Sequence, residues 1–383
     1  MTMDVMLAAG GAAWEQAAIG ELESSTSLRL VRRCVDVADL LAVAHTGQAN
    51  AAIVSADLPG LDVDAVAQLG RSGVVVAAVG ADPERCAALG IRRSLHIGQL
   101  GDIAHDVLVP AGPQARRAPV VAVWGPAGAP GRSTVALALA SAAAARRIDT
   151  ILVDADTYGG AQGQLLSVLD DVSGLVAACR AANQGRPGEV VDHLLEVDPG
   201  LRLLTGLPRA DMWPQVRAGA FETVLDRMCG EAELVVVDIA SPLEPGTGTG
   251  ADRNQTALQV VAAADLVVVV GRPDPVGLAR LVRGVQDLSA IDPGGRHVIA
   301  INMMRPSLGW REREVRATVA RLTGDEPVVH LPFDQSGLDL AAVKGRAPRE
   351  AAPSSPFVAR IEVLLGHVLS VVVPPRAVTG PAA

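Results

Sequence analysis

The segment Ala127–Thr134, AGAPGRST, carries residue types that bind a phosphate chain. Such a loop needs converging backbone N–H groups, a cation reaching the β- and γ-oxygens, and a hydroxyl for Mg2+. Gly128 and Gly131 allow tight turns and close approach, with Ala129 and Pro130 between them. Arg132 stands where the general pattern G-x-x-x-x-G-K-[ST] has lysine. Ser133 holds the Mg2+-ligand position, and Thr134 can donate towards the α-phosphate. The departures have physical costs. Pro126 replaces the first glycine, and Pro130 has no N–H, so one cradle donor is lost. Arg132 keeps the positive charge, but a guanidinium is longer and flatter than an ammonium. It can hold a phosphate bidentately without reaching the same oxygen. Only one lysine, Lys344, occurs among 33 basic residues, so an arginine bias of the whole chain also accounts for Arg132.

A strand before the loop (VVAVW) and a helix after it (STVALALASAAAA) would position these groups. Val-rich runs follow at TILVDAD, LRLLTG, AELVVVDIA, ADLVVVVG, HVIAINMM and EPVVHLPFD, as expected of buried parallel strands. Upstream, residues 1–108 alternate strand and helix signals in five βα units, which suits a flavodoxin-like, doubly wound domain. Residues 109–119, VPAGPQARRAP, read as a linker, 120–373 as the loop-bearing domain, and 374–383 as a disordered tail. The expected fold class is therefore α/β, a receiver-like N-terminal domain followed by a P-loop domain with a mostly parallel sheet.

Composition narrows the function classes. Apolar residues make up 49 % of the 383 and charged residues 20 %, which implies packed domains. A net charge of −9 argues against a broad basic surface for nucleic acid. Cys34, Cys86, Cys179 and Cys229 show no C-x-x-C spacing, so neither a zinc site nor a disulfide framework is expected. The N-terminus lacks a signal-peptide pattern and no apolar run reaches 18 residues, so the expected location is the cytoplasm.

The stretch AAIVSADLPGLD resembles the third strand and turn of response-regulator receiver domains. Ser55 replaces the phospho-accepting Asp, and Asp57 is out of register. No acidic pair follows the first strand, and no lysine ends the fifth. The expectation is a receiver-shaped docking or dimerisation module without phosphotransfer.

AGAPGRST resembles the deviant loop K-G-G-x-G-K-[ST]-[ST] of the MinD/ParA superfamily. In that family the early lysine reaches the partner's nucleotide across an ATP-sandwiched dimer. Ala127 occupies that position here, so this residue cannot make the contact. Further matches occur in family order. ILVDADTYGG resembles the strand ending in Asp-x-Asp, which implies a catalytic or Mg2+-proximal role for Asp156 and a metal-side place for Asp154. ELVVVDIASPL resembles the Walker B strand, with Asp238 on Mg2+ beside Ser133. Asn302, at the end of VIAINMM, and Pro332, Phe333 and Asp334 match the adenine side. ATP and Mg2+ are the implied cofactors, with Arg132 and Asp156 the candidate catalytic residues.

A receiver-like domain joined to such a domain resembles the CpaE/TadZ group. That implies a positioning factor for Tad-type pilus or septum machinery, with protein partners and a nucleotide-dependent homodimer. Recruitment to a pole, the septum or the inner membrane face would be indirect, because FVARIEVLLGHVLSVVV has few basic residues and is expected on the core. A ParA-type partition ATPase would need a DNA-binding patch. Arg305, Arg311, Arg313, Arg316 and Arg321 are interleaved with Glu312 and Glu314, so a solvated helix face is expected instead and DNA is not an expected partner. A scaffold that never turns over ATP is the third alternative.

Overall fold

A computed structural model describes residues 2–108, 117–128, 130–168, 172–246 and 252–372. Ala129, the expected tail and most of the expected linker lie outside the described residues. The chain divides into two compact units. One is Met1–Ala115 with Ala178–Val190 and Arg217–Val224. The other is Arg116–Ala177 with Val191–Val216 and Leu225–Ala383.

In the first unit, β1 (Met3–Ala8), β2 (Leu28–Arg33), β3 (Ala51–Val54), β4 (Val75–Val79) and β5 (Arg93–Leu95) form a parallel sheet. Its order is β2-β1-β3-β4-β5, that of flavodoxin-like doubly wound sheets. Alternation along the strands splits the core in two. Met6, Ala52, Val54 and Ala78 face one helical layer; Val5, Leu7, Ala51, Ile53 and Ala77 face the other. Helix Val63–Arg71 fills one layer through Ala65, Val66 and Leu69. Asp62 starts it by accepting the Ala65 N–H at 2.9 Å. At the receiver-type positions, Ser55 Oγ accepts the Asp57 N–H at 3.3 Å and Asp57 is exposed.

In the second unit, eight strands run in the order β13-β12-β11-β6-β10-β7-β9-β8. They are β6 (Val120–Trp124), β7 (Thr150–Ala155), β8 (Leu195–Asp198), β9 (Leu201–Leu204), β10 (Leu234–Ile239), β11 (Leu266–Gly271), β12 (His297–Met304) and β13 (Pro327–Pro332). Seven are parallel; only the edge strand β8 runs antiparallel, against β9. The central strands are Val-rich and buried on both faces, as helices on each side require. The helix Arg132–Ala145 buries every residue from Val135 to Ala144, and its alanines let it lie close on the sheet. Helix Pro356–Val372 packs against it through Phe357, Ile361, Leu364, Leu365 and Val368. Those residues are therefore committed to the core. Among the described residues no helix is long and apolar enough to cross a membrane.

All four cysteines are buried and free, and burial pushes the Cys179 thiol up to about 12. Such thiols are poor nucleophiles.

Candidate functional site: a phosphate loop over a buried carboxylate cluster

Parallel strands deliver their C-terminal ends to one edge, and the expected site residues lie there. β6 leads into the loop, β7 carries Asp154 and leads to Asp156, and β10 carries Asp238. Because β10 lies between β6 and β7, Asp238 pairs in register with both Val123 and Asp154. β12 supplies Asn302, and β13 ends at Pro332 just before Phe333 and Asp334.

The loop turns into its helix through Gly131, at φ 90°. A β-carbon there would sit 2.5 Å from Asn302 Nδ2, so glycine is required on two counts. No side chain caps the helix and its first turn has no acidic residue. Its N–H groups and the positive end of its dipole are therefore presented to an anion. Thr134 lies in that first turn.

Arg132 folds back rather than extending. Its Nη1 donates to the Gly125 carbonyl at 3.2 Å and its Nη2 to Asp156 Oδ2 at 3.4 Å. Its buried Nε has no partner among the described residues. Asp156 accepts the N–H groups of Tyr158 and Gly159 through Oδ1, at 2.8 and 3.0 Å. The guanidinium is thus tethered by one ion pair, with hydrogen-bonding capacity in reserve.

The Ser133 hydroxyl lies beside the Asp238 carboxylate and opposes the rise in its pKa that burial causes. Gln162, fully buried and not foreseen from sequence, joins the two: its Nε2 donates to Asp238 Oδ2 at 2.9 Å and to the Ser133 carbonyl at 3.0 Å. Asp238 Oδ1 is buried with no partner among the described residues. Asp154 accepts the Gln162 N–H at 3.0 Å and the Asp156 N–H at 3.3 Å, one on each oxygen. Among the described residues no cluster of His, Cys, Asp and Glu could hold a metal by itself. A hydroxyl beside a carboxylate with a free oxygen instead fits Mg2+, which takes one or two protein oxygens and completes its shell with water and phosphate.

Burial holds the Asp154 and Asp238 carboxyls above the ordinary range, and the Asp238 charge adds to the effect on Asp154. A raised folded pKa means that the native state binds more protons than the unfolded chain. This pair's contribution to stability is therefore present below the unfolded value and lost as pH rises. Without nucleotide or metal, the melting temperature is expected to fall between about pH 5 and 8, above the ordinary Asp range. Asp154→Asn should flatten that decline in thermal melts at fixed ionic strength. Parallel curves for the two proteins would contradict this origin.

On the expected base side, Asn302 turns its carboxamide inward. Nδ2 donates to the Pro130 carbonyl at 2.8 Å and Oδ1 accepts the Met303 N–H at 2.8 Å. It braces the loop. Asp334 caps helix Gln335–Lys344 through the Gly337 N–H at 3.0 Å and also bonds Ser355, so its carboxylate is occupied. Phe333 is half exposed, with the Arg305 guanidinium 5.8 Å from its ring centre. Pro332 ends β13 beside Met304 of β12. In the Arg-rich helix Glu312–Thr323, Arg316 meets Glu326 at 3.6 Å, and Glu312 meets Arg360 at 3.5 Å. That face is of mixed sign.

The sheet order, the uncapped loop helix and the strand-end carboxylates belong to an α/β fold with a mostly parallel sheet, and solved structures of ParA and MinD proteins are similar to it. The chain is similar to a ParA family ATPase from Chlorobium tepidum TLS (16 % identity, TM-score 0.56), covering 66 % of this chain and all of that one. It is also similar to the cell division ATPase MinD of Pyrococcus furiosus (14 %, TM-score 0.53), covering 65 % of this chain and 98 % of that one. A third is the septum site-determining protein MinD of Pyrococcus horikoshii OT3, complexed with Mg-ADP (14 %, TM-score 0.54), covering 66 % and 96 %. At such identities the likeness is one of fold. No family model matches the sequence, and no curated protein does.

Proposed function

We propose that the chain binds ATP with Mg2+ at the loop running to Thr134. It would act as a positioning or assembly factor for Tad-type pilus or septum machinery, with slow or absent hydrolysis. The observation that carries nucleotide binding is the uncapped helix N-terminus beside the Ser133–Asp238 pair, whose Asp238 Oδ1 is unpartnered. Ser133 and Asp238 would hold Mg2+, which neutralises phosphate charge when bound. Backbone N–H groups of Arg132, Ser133 and Thr134 orient the phosphates. Asp156 would hold the attacking water or stand near the metal. The solved MinD complexed with Mg-ADP supports the choice of ligand, and the cell-division and septum-site roles for which those MinD proteins are named support a positioning role.

Slow turnover follows from three features. Pro130 lacks an N–H, Ala127 lacks a charge, and Asp156 neutralises Arg132 in the resting loop. Transition-state charge needs preorganised cations, and losing one commonly costs orders of magnitude in rate. A scaffold without turnover is the second reading, favoured by that same Arg132–Asp156 tether. Nucleotide-dependent dimerisation would serve either reading, with the receiver-shaped domain offering a docking surface.

The test is a titration with ATP, ADP and GTP, with and without Mg2+, followed by thermal shift and molecular mass. The expected result is Mg2+-dependent stabilisation by adenine nucleotides. No shift with any of them would overturn the reading.

A further inference from the structure

Four carbonyls of the phosphate loop are held by side chains. Arg132 Nη1 donates to Gly125 at 3.2 Å, Arg280 Nη1 to Ala127 at 3.2 Å, Arg272 Nη1 to Gly128 at 3.2 Å and Asn302 Nδ2 to Pro130 at 2.8 Å. Three of those donors lie outside the loop. Arg272 follows β11, Arg280 lies on helix Pro275–Ile291 and Asn302 on β12. Because β11 lies beside β6 and β12 beside β11, the sheet order itself brings them to the loop.

The consequence lies on the other edge of each peptide. In a trans peptide the carbonyl and the following N–H point in opposite directions, and no cis peptide occurs among the described residues. With the Ala127 carbonyl tied to Arg280, the Gly128 N–H points away from Arg280, into the loop's interior. With the Pro130 carbonyl tied to Asn302, the Gly131 N–H points away from Asn302. Neither N–H donates to another described residue. Pro126 and Pro130 contribute no donor, so the fixed direction of these two counts for more.

Charge adds to direction. A cationic donor on a carbonyl polarises the peptide and strengthens its N–H as a donor. Arg272 is neutralised locally, because its Nε meets Asp274 Oδ2 at 2.9 Å. Arg280 is exposed and has no carboxylate partner among the described residues. Its charge therefore falls on the Ala127–Gly128 peptide. A β-carbon on Gly128, at φ 116°, would overlap the Arg280 guanidinium, so glycine lets the cation lie against the chain.

We propose that Arg280 is a positioning residue for the phosphate chain: it touches no ligand, and works through the Ala127–Gly128 peptide by fixing the Gly128 N–H towards a bound anion. This rests on the nucleotide-binding reading above. It adds how a loop with alanine at 127 and proline at 130 is kept ready, since a donor ordered beforehand loses less freedom on binding. The brace acts on whichever phosphate lies in the cradle, so it serves diphosphates and triphosphates alike.

The test is calorimetry of Mg·ATP, Mg·ADP and Mg·pyrophosphate on the full chain, for wild type, Arg280→Met and Arg280→Lys. Methionine keeps an unbranched stem but donates nothing. Arg280→Met should weaken all three ligands by one common factor of about fivefold. Arg280→Lys should return each affinity to within about twofold of wild type, because a cationic donor is restored. Unliganded melts of the three proteins should agree within about 2 °C, as for other exposed helix positions. Titrations are run well below the melting midpoints, so a change in stability alone moves no affinity. Weakened ATP binding with ADP and pyrophosphate untouched would mean direct contact with a terminal phosphate, and would overturn the proposal. A loss confined to the two nucleotides would place the effect on the base side and overturn it too. Unchanged affinities in Arg280→Met, or a lysine variant as weak as the methionine one, would also overturn it, with nucleotide binding by wild type intact. A wild type that binds none of the three would overturn both.

Discussion

Gly125→Ala is expected to cost the P-loop domain about 3 kcal/mol, the upper range for overpacking a core. Gly125 follows β6, whose neighbour β11 runs alongside it with Val269 opposite Trp124. A β-carbon at 125 would overlap the carbonyl oxygen of Val270 and come within 3.1 Å of Pro130 Cγ. The carbonyl cannot step aside, because β11 is also bound on its far side by β12, with Val270 opposite Ala300. Either β11 shifts, or β6 retracts and drags the loop with it. For a domain of this size the melting temperature should fall by about 6–12 °C. Gly230→Ala is the control, since it lies within helix Ala218–Glu231 with open space around it. Helix propensity alone should make that change stabilising by about 0.5–1 kcal/mol. Equal melting temperatures for Gly125→Ala and wild type would show that the strands have slack the structure does not show.

The second large effect is at Arg132. Arg132→Ala removes the only side-chain cation among residues 125–134 and should lower Mg·ATP affinity by about 2–3 kcal/mol, or about 30- to 150-fold. Stability should change less. Asp156 keeps the Tyr158 and Gly159 N–H bonds on Oδ1, so its charge is not left bare when the 3.4 Å ion pair goes. Arg132→Lys separates two causes of the slow turnover proposed above. If hydrolysis appears, the guanidinium shape was limiting and the rest of the loop is competent. If binding persists without hydrolysis, the causes are Ala127 and Pro130.

The site was legible in sequence where its chemistry is local. Gly128, Gly131, Arg132 and Ser133 stand out by their spacing in one short loop, whereas Asp154, Asp156 and Asp238 were singled out by the resemblance of their strands to MinD/ParA motifs. Contacts set by non-adjacent strands were not legible. Gln162 reads as an ordinary polar residue, and becomes the link between Ser133 and Asp238 only because β7 and β10 are neighbours. Gly125 carries no motif signal, since its constraint comes from Val270, 145 residues away. Asn302 and Asp334 were expected to face a base, and they bond the Pro130 carbonyl and the Gly337 N–H.

At the level of fold, parallel strands were visible as buried Val runs. The edge strand β8 was not, because LEVD is half exposed and polar. Helix Val63–Arg71 is the helix of the third βα unit, and Asp62 supplies its start signal. Arg272 and Arg280, which donate to the Gly128 and Ala127 carbonyls, do not stand out in a chain rich in arginine. Only their hydrogen bonds to successive loop carbonyls single them out.

Nucleotide binding through Arg132 is the part of the proposed function on which the rest depends. Calorimetric titration of Mg·ATP into wild type, Arg132→Ala and Arg132→Lys tests it most directly. Saturable binding to wild type is expected, retained by the lysine variant and weakened about 30-fold or more by alanine. No heat of binding in wild type, or equal affinity in wild type and Arg132→Ala, would contradict it.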